Sequence, residues 1–301
     1  MTQNLSRHWP CLLVLLAGTS DAAEFIADPP HTCDQCEAWS QPREPFRVYA
    51  NTWFVGGGLS SILITSDKGH VLIDGGLSQS APQIAANIQK LGFRLEDVKY
   101  ILNSHTHYDH AGGIAALQRA SGARVVASPA SKRALELGGP TQDDPQFGFG
   151  PGHNNFPPVT NVRAIADGET LQVGDIQITA HFTPGHTPGG TTWTWTSCQV
   201  DNCMNMVYAD SLNSISAPGF KFTAETNRVT SFEKSIDTLA ALTCGILLTP
   251  HPEAFALDEK LARRARDPGA NPFFDRNACK AYAAGARERL AKRLADERAT
   301  P

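Results

Sequence analysis

The run Asn103-Ser104-His105-Thr106-His107-Tyr108-Asp109-His110 places four metal-capable side chains within six positions. Imidazole and carboxylate donors together suit zinc, and the lack of cysteine among them fits a catalytic rather than a structural site. On an extended chain His105 and His107 point the same way, because side chains alternate with period two, so the pair can chelate one ion. Asp109 and His110 fall where the chain should turn towards a helix, which aims them at a neighbouring point. A catalytic ion needs a third protein ligand and one open position. His186, in Thr183-Pro184-Gly185-His186-Thr187-Pro188-Gly189-Gly190, and His251, in Thr249-Pro250-His251-Pro252, each follow a strand-like run and are expected to complete the site. Their Pro and Gly flanks limit the freedom of the imidazoles and lower the entropy cost of binding. His31, His70, His153 and His181 have no such companions and are expected to be structural or exposed.

Positioning these groups falls to two sets of strands. Short runs rich in β-branched and aromatic residues predict strands at 46–49, 52–55, 61–64 and 70–73. Ile84, Ile88 and Leu91 mark an amphipathic helix over 79–91, stopped by Gly92. A strand at 99–102 runs into the histidine cluster, and helices at 114–120 and 131–137 flank a strand at 124–127. After a Gly-, Pro- and Phe-rich loop at 138–158 come strands near 162–165, 176–182, 191–196 and 204–208. A helix at 231–242, a strand at 245–248 and a surface helix at 278–295 complete the set. Two halves, each with strands before helices, predict an α+β fold of two packed sheets with helices outside. Residues 24–45 read as an extended arm, and 24–301 as one domain without repeat or linker. In the long loop, Phe147, Phe149, Gly150, His153 and Phe156 either wall a groove or pin the loop to the core. Gly56-Gly57-Gly58 is expected to be a flexible turn beside the site. It is no phosphate loop, since no helix start with Lys-Ser or Lys-Thr follows.

The chain has 301 residues, 41% of them hydrophobic, enough for a sizeable core. Its net charge of -4, with no long basic run, argues against a phosphate-tracking surface, so no nucleic-acid partner is expected. Residues 1–23 have the order of a secretory signal: Arg7 and His8, a short apolar run at 11–18, then small residues with cleavage expected near Ala22 or Ala23. The run is too short to span a bilayer. A periplasmic or secreted protein with no membrane attachment after cleavage is therefore expected, monomeric for want of any obvious assembly helix. Of seven cysteines, Cys11 leaves with the signal, and the even remainder favours disulfides over thiols. Local spacing pairs Cys198 with Cys203 across a hairpin tip and leaves Cys244 with Cys279 as a long-range staple, while Cys33 and Cys36 can pair with each other.

The cluster from His105 to His110, with Thr183-Pro184-Gly185-His186-Thr187, Pro250-His251-Pro252 and Leu72-Ile73-Asp74-Gly75-Gly76, resembles the metallo-β-lactamase superfamily from about Val48 to the C-terminus. Thr191-Thr192-Trp193-Thr194-Trp195, Tyr208-Ala209-Asp210-Ser211-Leu212 and the Cys244/Cys279 pair make it most similar to the third subclass of class B β-lactamases. That resemblance implies a four-layer αββα sandwich with two zinc ions at one edge of the sheets. It implies that His105, His107 and His186 hold the first zinc, and Asp109, His110 and His251 the second. The implied reaction is hydrolysis of the β-lactam amide of penicillins, cephalosporins or carbapenems by a zinc-bound hydroxide, with Asp109 orienting it or relaying a proton. Ser211, assisted by Asn213, is the expected donor to the substrate carboxylate. An Asp210 facing the metals would instead favour a lactonase or thioester hydrolase on the same scaffold.

Overall fold

Seven strands form the first sheet in chain order: β1 (Phe46–Tyr49), β2 (Thr52–Phe54), β3 (Ile62–Ser66), β4 (Gly69–Ile73), β5 (Val98–Leu102), β6 (Arg124–Ala127) and β7 (Arg163–Ala164). The second sheet contains β8 (Thr170–Val173), β9 (Ile176–Phe182), β10 (Thr191–Gln199), β11 (Asn202–Tyr208) and β12 (Ile246–Leu248), in the order β12-β11-β10-β9-β8. The computed structural model describes residues 25–200 and 202–299, so the expected signal at 1–23 lies outside the described residues.

Period-two alternation sorts the strand side chains between cores. Ile62 and Ile64 of β3, and Val71 and Ile73 of β4, enter a core shared with Met206 and Tyr208 of β11 and Ile246 and Leu248 of β12. Leu63 and Leu72, one residue out of step, face α2 (Ala81–Lys90), α4 (Ile114–Ser121) and α5 (Pro129–Leu137). Val207 and Leu247 face α7 (Thr226–Ala241) and α9 (Ala278–Ala299) on the opposite side. The layers are therefore helix, sheet, sheet, helix, as expected. Two indoles fasten the inner core. Trp193 donates Nε1–H to the carbonyl of Asn103 at 3.1 Å and Trp195 to Thr52 Oγ1 at 3.0 Å. Each fully packed indole stabilises the fold by roughly 3–5 kcal/mol relative to alanine.

Strand direction places the functional edge. β4, β5 and β6 run parallel. β9 and β11 both run antiparallel to β10 and so share a direction, and β12 is parallel to β11. The loops after these six strands open on one edge, where open sheets of this kind carry their ligands.

Some elements differ from expectation. β8 was not anticipated, and neither was α8 (Leu257–Arg266). From α8, Arg264 donates to the carbonyls of Arg47 and Val48, covering the exposed edge of β1. The arm at 25–45 is not wholly extended: it holds the short α1 (Cys36–Trp39), closed by a Cys33–Cys36 disulfide. Gly56 and Gly58 serve close backbone approach rather than flexibility. A Cβ at Gly58 would lie 2.0 Å from the carbonyl oxygen of Ala38 on the arm, and one at Gly56 2.2 Å from that of Leu59. Disulfides also join Cys198 to Cys203 and Cys244 to Cys279. The long loop at 138–158 contains the short α6 (Pro151–Asn154).

Candidate metal centre

The turn after β5 is held from below by Asp74. This residue is fully buried just after β4, with φ at +60°. Its Oδ1 accepts from the backbone N–H of Ser104 at 2.7 Å and from Asn103 Nδ2 at 3.2 Å. Its Oδ2 accepts from Ser104 Oγ at 2.6 Å and from Tyr208 OH at 2.9 Å. One carboxylate thus fixes the two residues before His105 and ties them to the second sheet. Four donors to a single buried acid form the kind of satisfied network that specifies one geometry.

The chain then delivers His105 and His107 before turning into α3 (Tyr108–Ala111), which carries Asp109 and His110. His186 comes from the loop after β9. Gly185 permits that loop its path, since a Cβ there would lie 2.4 Å from the Phe232 ring of α7. His251 follows β12. The rings of His105, His107 and His186 stand almost mutually perpendicular, with centroids 4.7–5.0 Å apart and interplanar angles of 84–86°. One donor atom from each lies within 4.8 Å of the others. Beside them, Asp109 Oδ2 lies 3.0 Å from His110 Nε2 and 3.4 Å from His251 Nε2, and the two nitrogens are 3.2 Å apart. Tetrahedral zinc with bonds of about 2.0–2.1 Å holds its donors about 3.3–3.4 Å apart, so the second triangle has the size of a zinc face.

Each ring of the His105, His107 and His186 trio has its outward nitrogen against an acceptor. His105 Nδ1 meets Asp210 Oδ1 at 2.8 Å, His186 Nδ1 meets the carbonyl of Asn213 at 3.1 Å, and His107 Nε2 meets Asp144 Oδ1 at 3.3 Å. His105 Nε2 is left buried with no partner among the described residues. An orphaned buried lone pair is costly unless something occupies it, which fits a bound cation.

Charge prepares the same donors. Burial, then the neighbouring imidazoles, holds His105 well below the usual histidine range, and burial with His107 beside it brings His186 to about 3. Burial pushes the Asp109 carboxyl up, but His110 and His251 together outweigh it and hold it well below the carboxylate range. Burial lowers His251, yet its hydrogen bond and attraction to Asp109 leave it raised. Near neutral pH, then, His105 and His186 present unprotonated nitrogens and Asp109 an ionised oxygen, the forms that bind metal.

The metallo-beta-lactamase superfamily description matches residues 55–194. MEM-A1, a subclass B3 metallo-β-lactamase isolated from a soil metagenome library, is 49% identical, covering 87% of this chain and 100% of its own at a TM-score of 0.84. The Rm3 metallo-β-lactamase is 50% identical, covering 89% of this chain and 99% of its own at a TM-score of 0.85. The chain belongs to the metallo-β-lactamase superfamily. It spans 27–36% of the length of the curated relatives it matches; one is the hydroxyacylglutathione hydrolase of Maricaulis maris, 30% identical over 92 residues, or 31% of this chain.

In this metallo-β-lactamase fold the candidate metal centre opens into a groove of about 510 Å³, with Trp39, Tyr108, Gln146, Phe149, Asn213 and Ile215 among its walls and, among the described residues, no Lys or Arg in its lining. The phenylalanines of the long loop divide their roles: Phe149 lines the groove, while Phe156 is buried in the outer core. Ser211 is 3% exposed and lies outside the groove lining, whereas Asn213 lies within it and holds His186 through its carbonyl. Asp210 stands behind His105, fully buried, and burial pushes its carboxyl well above the usual range.

Two histidines expected to lack companions are in fact next to the centre. His31 stacks on Tyr108 at 4.1 Å, and His153 meets the same ring edge-on at 5.2 Å. His70 packs edge-on against Phe93, and His181 hydrogen-bonds Thr194. Asp144 and the arm residue Trp39, whose ring lies 5.6 Å from that of His251, went unnoticed in the sequence. Neither sits in a recognisable spacing.

Proposed function

We propose that this chain is a zinc-dependent β-lactamase that opens the β-lactam amide of penicillins, cephalosporins or carbapenems, with a zinc ion at each of the two donor sets. His105, His107 and His186 would hold one ion, and Asp109, His110 and His251 the other. The observation that carries the reading is the pair of adjacent donor triangles, one grouped around His105, His107 and His186 with every outward nitrogen anchored and one set by the close approach of Asp109, His110 and His251, at the mouth of an open groove. The near 50% identity to subclass B3 enzymes across almost their full length supports it. Bound at such donors, zinc supplies Lewis acidity for a carbonyl and lowers the pKa of a coordinated water to about 7.

The chain's own groups do the rest. Asp109 turns Oδ2 to the imidazoles and lines the groove, leaving its other oxygen to orient the attacking water. With no Lys or Arg in the groove lining among the described residues, the substrate carboxylate is met by neutral donors, for which Asn213 in the lining and its buried neighbour Ser211 are the candidates. Trp39, Phe149 and Ile215 offer apolar surface to ring substituents. A secretory signal at 1–23, a periplasmic or secreted location and a monomeric state belong to the same proposal, in keeping with three disulfides. Among the described residues no helix is long and apolar enough to cross a membrane.

A thioester hydrolase is the second reading, favoured by the match to the Maricaulis maris enzyme. Hydrolysis of a chromogenic cephalosporin and a carbapenem, with and without a zinc chelator, separates the two. Turnover is expected, abolished by the chelator and restored by zinc. Zinc-loaded protein inert on both antibiotics would sink the lactamase reading and send the search to lactones and thioesters.

A further inference from the structure

We propose that Asp144 is a positioning residue that fixes the ring of His107 for metal and, through the same carboxylate, couples the loop at 138–158 to the metal centre. The inference rests on the metal-centre reading and on no choice of substrate. An imidazole binds metal through one nitrogen, and the hydrogen bond made by the other decides which one. His105 and His186 are anchored at Nδ1, so each offers Nε2. His107 alone is anchored at Nε2, by Asp144, and so offers Nδ1. Without an acceptor at that place, nothing among the described residues would select this orientation.

Asp144 is itself held firmly. It is 3% exposed, its Oδ1 also accepts from the N–H of Gln146 at 2.8 Å, and its backbone bonds to Thr141 and Phe147. Its Oδ2 is buried without a hydrogen-bond partner, and no Lys or Arg pairs with it among the described residues. Taking a carboxylate out of water is costly, and here the His107 ring and the Gln146 N–H are what offset that cost. A cation on the far side of His107 relieves that cost by polarising the Nε2–H that faces the acid. Metal binding and the seating of Asp144 therefore favour each other.

The consequence reaches the groove. Asp144 sits two residues before Gln146 and five before Phe149, and the same loop carries His153; all three line the groove. Whatever strengthens the His107–Asp144 bond steadies this wall. By reciprocity, displacing the wall weakens metal binding by the same free energy.

The test needs no substrate. Zinc affinity is measured by competition with a chromophoric chelator on the wild type, Asp144→Asn and Asp144→Glu, alongside amide hydrogen exchange over 145–154 with and without zinc. Asp144→Asn should weaken the tighter zinc about 10- to 100-fold, with partial recovery in Asp144→Glu. Zinc should slow exchange in the loop of the wild type and leave the Asn variant unchanged. A purely structural Asp144 would lower the melting temperature of the zinc-free protein without altering affinity. Affinity within twofold of wild type, or a wild-type loop indifferent to zinc, overturns the proposal. A wild type that binds no zinc would instead overturn the metal-centre reading beneath it. If the Asn variant does not fold, nitrogen NMR of the wild-type rings decides: a His107 proton on Nε2 is expected, and one on Nδ1 overturns the inference.

Discussion

The two donor sets differ in what stands behind them. Every ring of the His105, His107 and His186 set has its outward nitrogen against an acceptor, and two of those acceptors are oxygens of buried aspartates. In the other set, His110 Nδ1 is buried without a partner among the described residues. His251 Nδ1 has only Glu253 at 3.6 Å, a side chain 75% exposed. The first set is preorganised by the fold, while the second is held mainly by its own mutual contacts. Preorganised donors lose less freedom on binding metal, so the first set should fill first and matter more.

The largest effect should come from the first set itself. His186→Ala is expected to cost at least about 10³-fold in kcat/KM, several kcal/mol of transition-state stabilisation. His251→Ala should cost roughly tenfold less, because an anchored ion remains. Steady-state kinetics at saturating zinc, with metal content measured in parallel, check this. Equal losses would break the asymmetry. Next in size is Asp210→Asn, which should weaken the tighter zinc about 10- to 100-fold by loosening His105 and leave the weaker one nearly unchanged. Calorimetric titration of the zinc-free variant resolves the two steps.

The asymmetry also explains what could be read in advance. Two packed sheets were legible because strands such as β3, β4 and β12 are short apolar runs bounded by turn residues, while the four-layer sandwich itself came from the family resemblance of the ligand motifs. The candidate donors stood out in the sequence because four of them lie within six positions, and because His186 and His251 sit at strand ends flanked by Pro and Gly. The anchors did not. Asp144 reaches His107 across 37 residues from an irregular loop whose path no periodicity encodes. Asp210 and Ser211 are neighbours, and only tertiary packing shows that Asp210 lies behind His105. The arm's Trp39 and His31 reach the site through contacts that composition does not signal. β8 was missed because its alternation covers just two buried residues, Leu171 and Val173, and α8 because it buries only Leu257 fully.

A smaller effect follows from protonation, and its sign differs between the sets. His105 and His186 are lowered from 6.5 by burial, so their contribution to stability is complete above 6.5 and is lost as pH falls, towards about 3 for His186. His251 is raised, so its contribution is complete below 6.5 and is lost as pH rises through the raised value. The two imidazoles therefore lower the melting temperature of zinc-free protein between pH 6.5 and 4 while the raised carboxyls of Asp74 and Asp210 act the other way, so it is the lead of the wild type over His186→Leu that should shrink as pH falls. Asp109, held low, adds loss only at the acid end of this range. Melts of both proteins in a chelating buffer supply the measurement, and a difference between them that does not change with pH would contradict the burial argument.

The smallest effect tests the weak side of the comparison. Glu253→Gln removes the only acidic group paired with the outward nitrogen of His251 among the described residues. At 3.6 Å, with the carboxylate mostly in water, the pair has little Coulomb energy and is screened by salt. The affinity of the weaker zinc should change by less than about twofold, and high salt should erase even that. A tenfold loss would mean that Glu253 anchors His251 as Asp210 anchors His105. The second set would then be as preorganised as the first, and the order of filling would have to come from something other than the anchors.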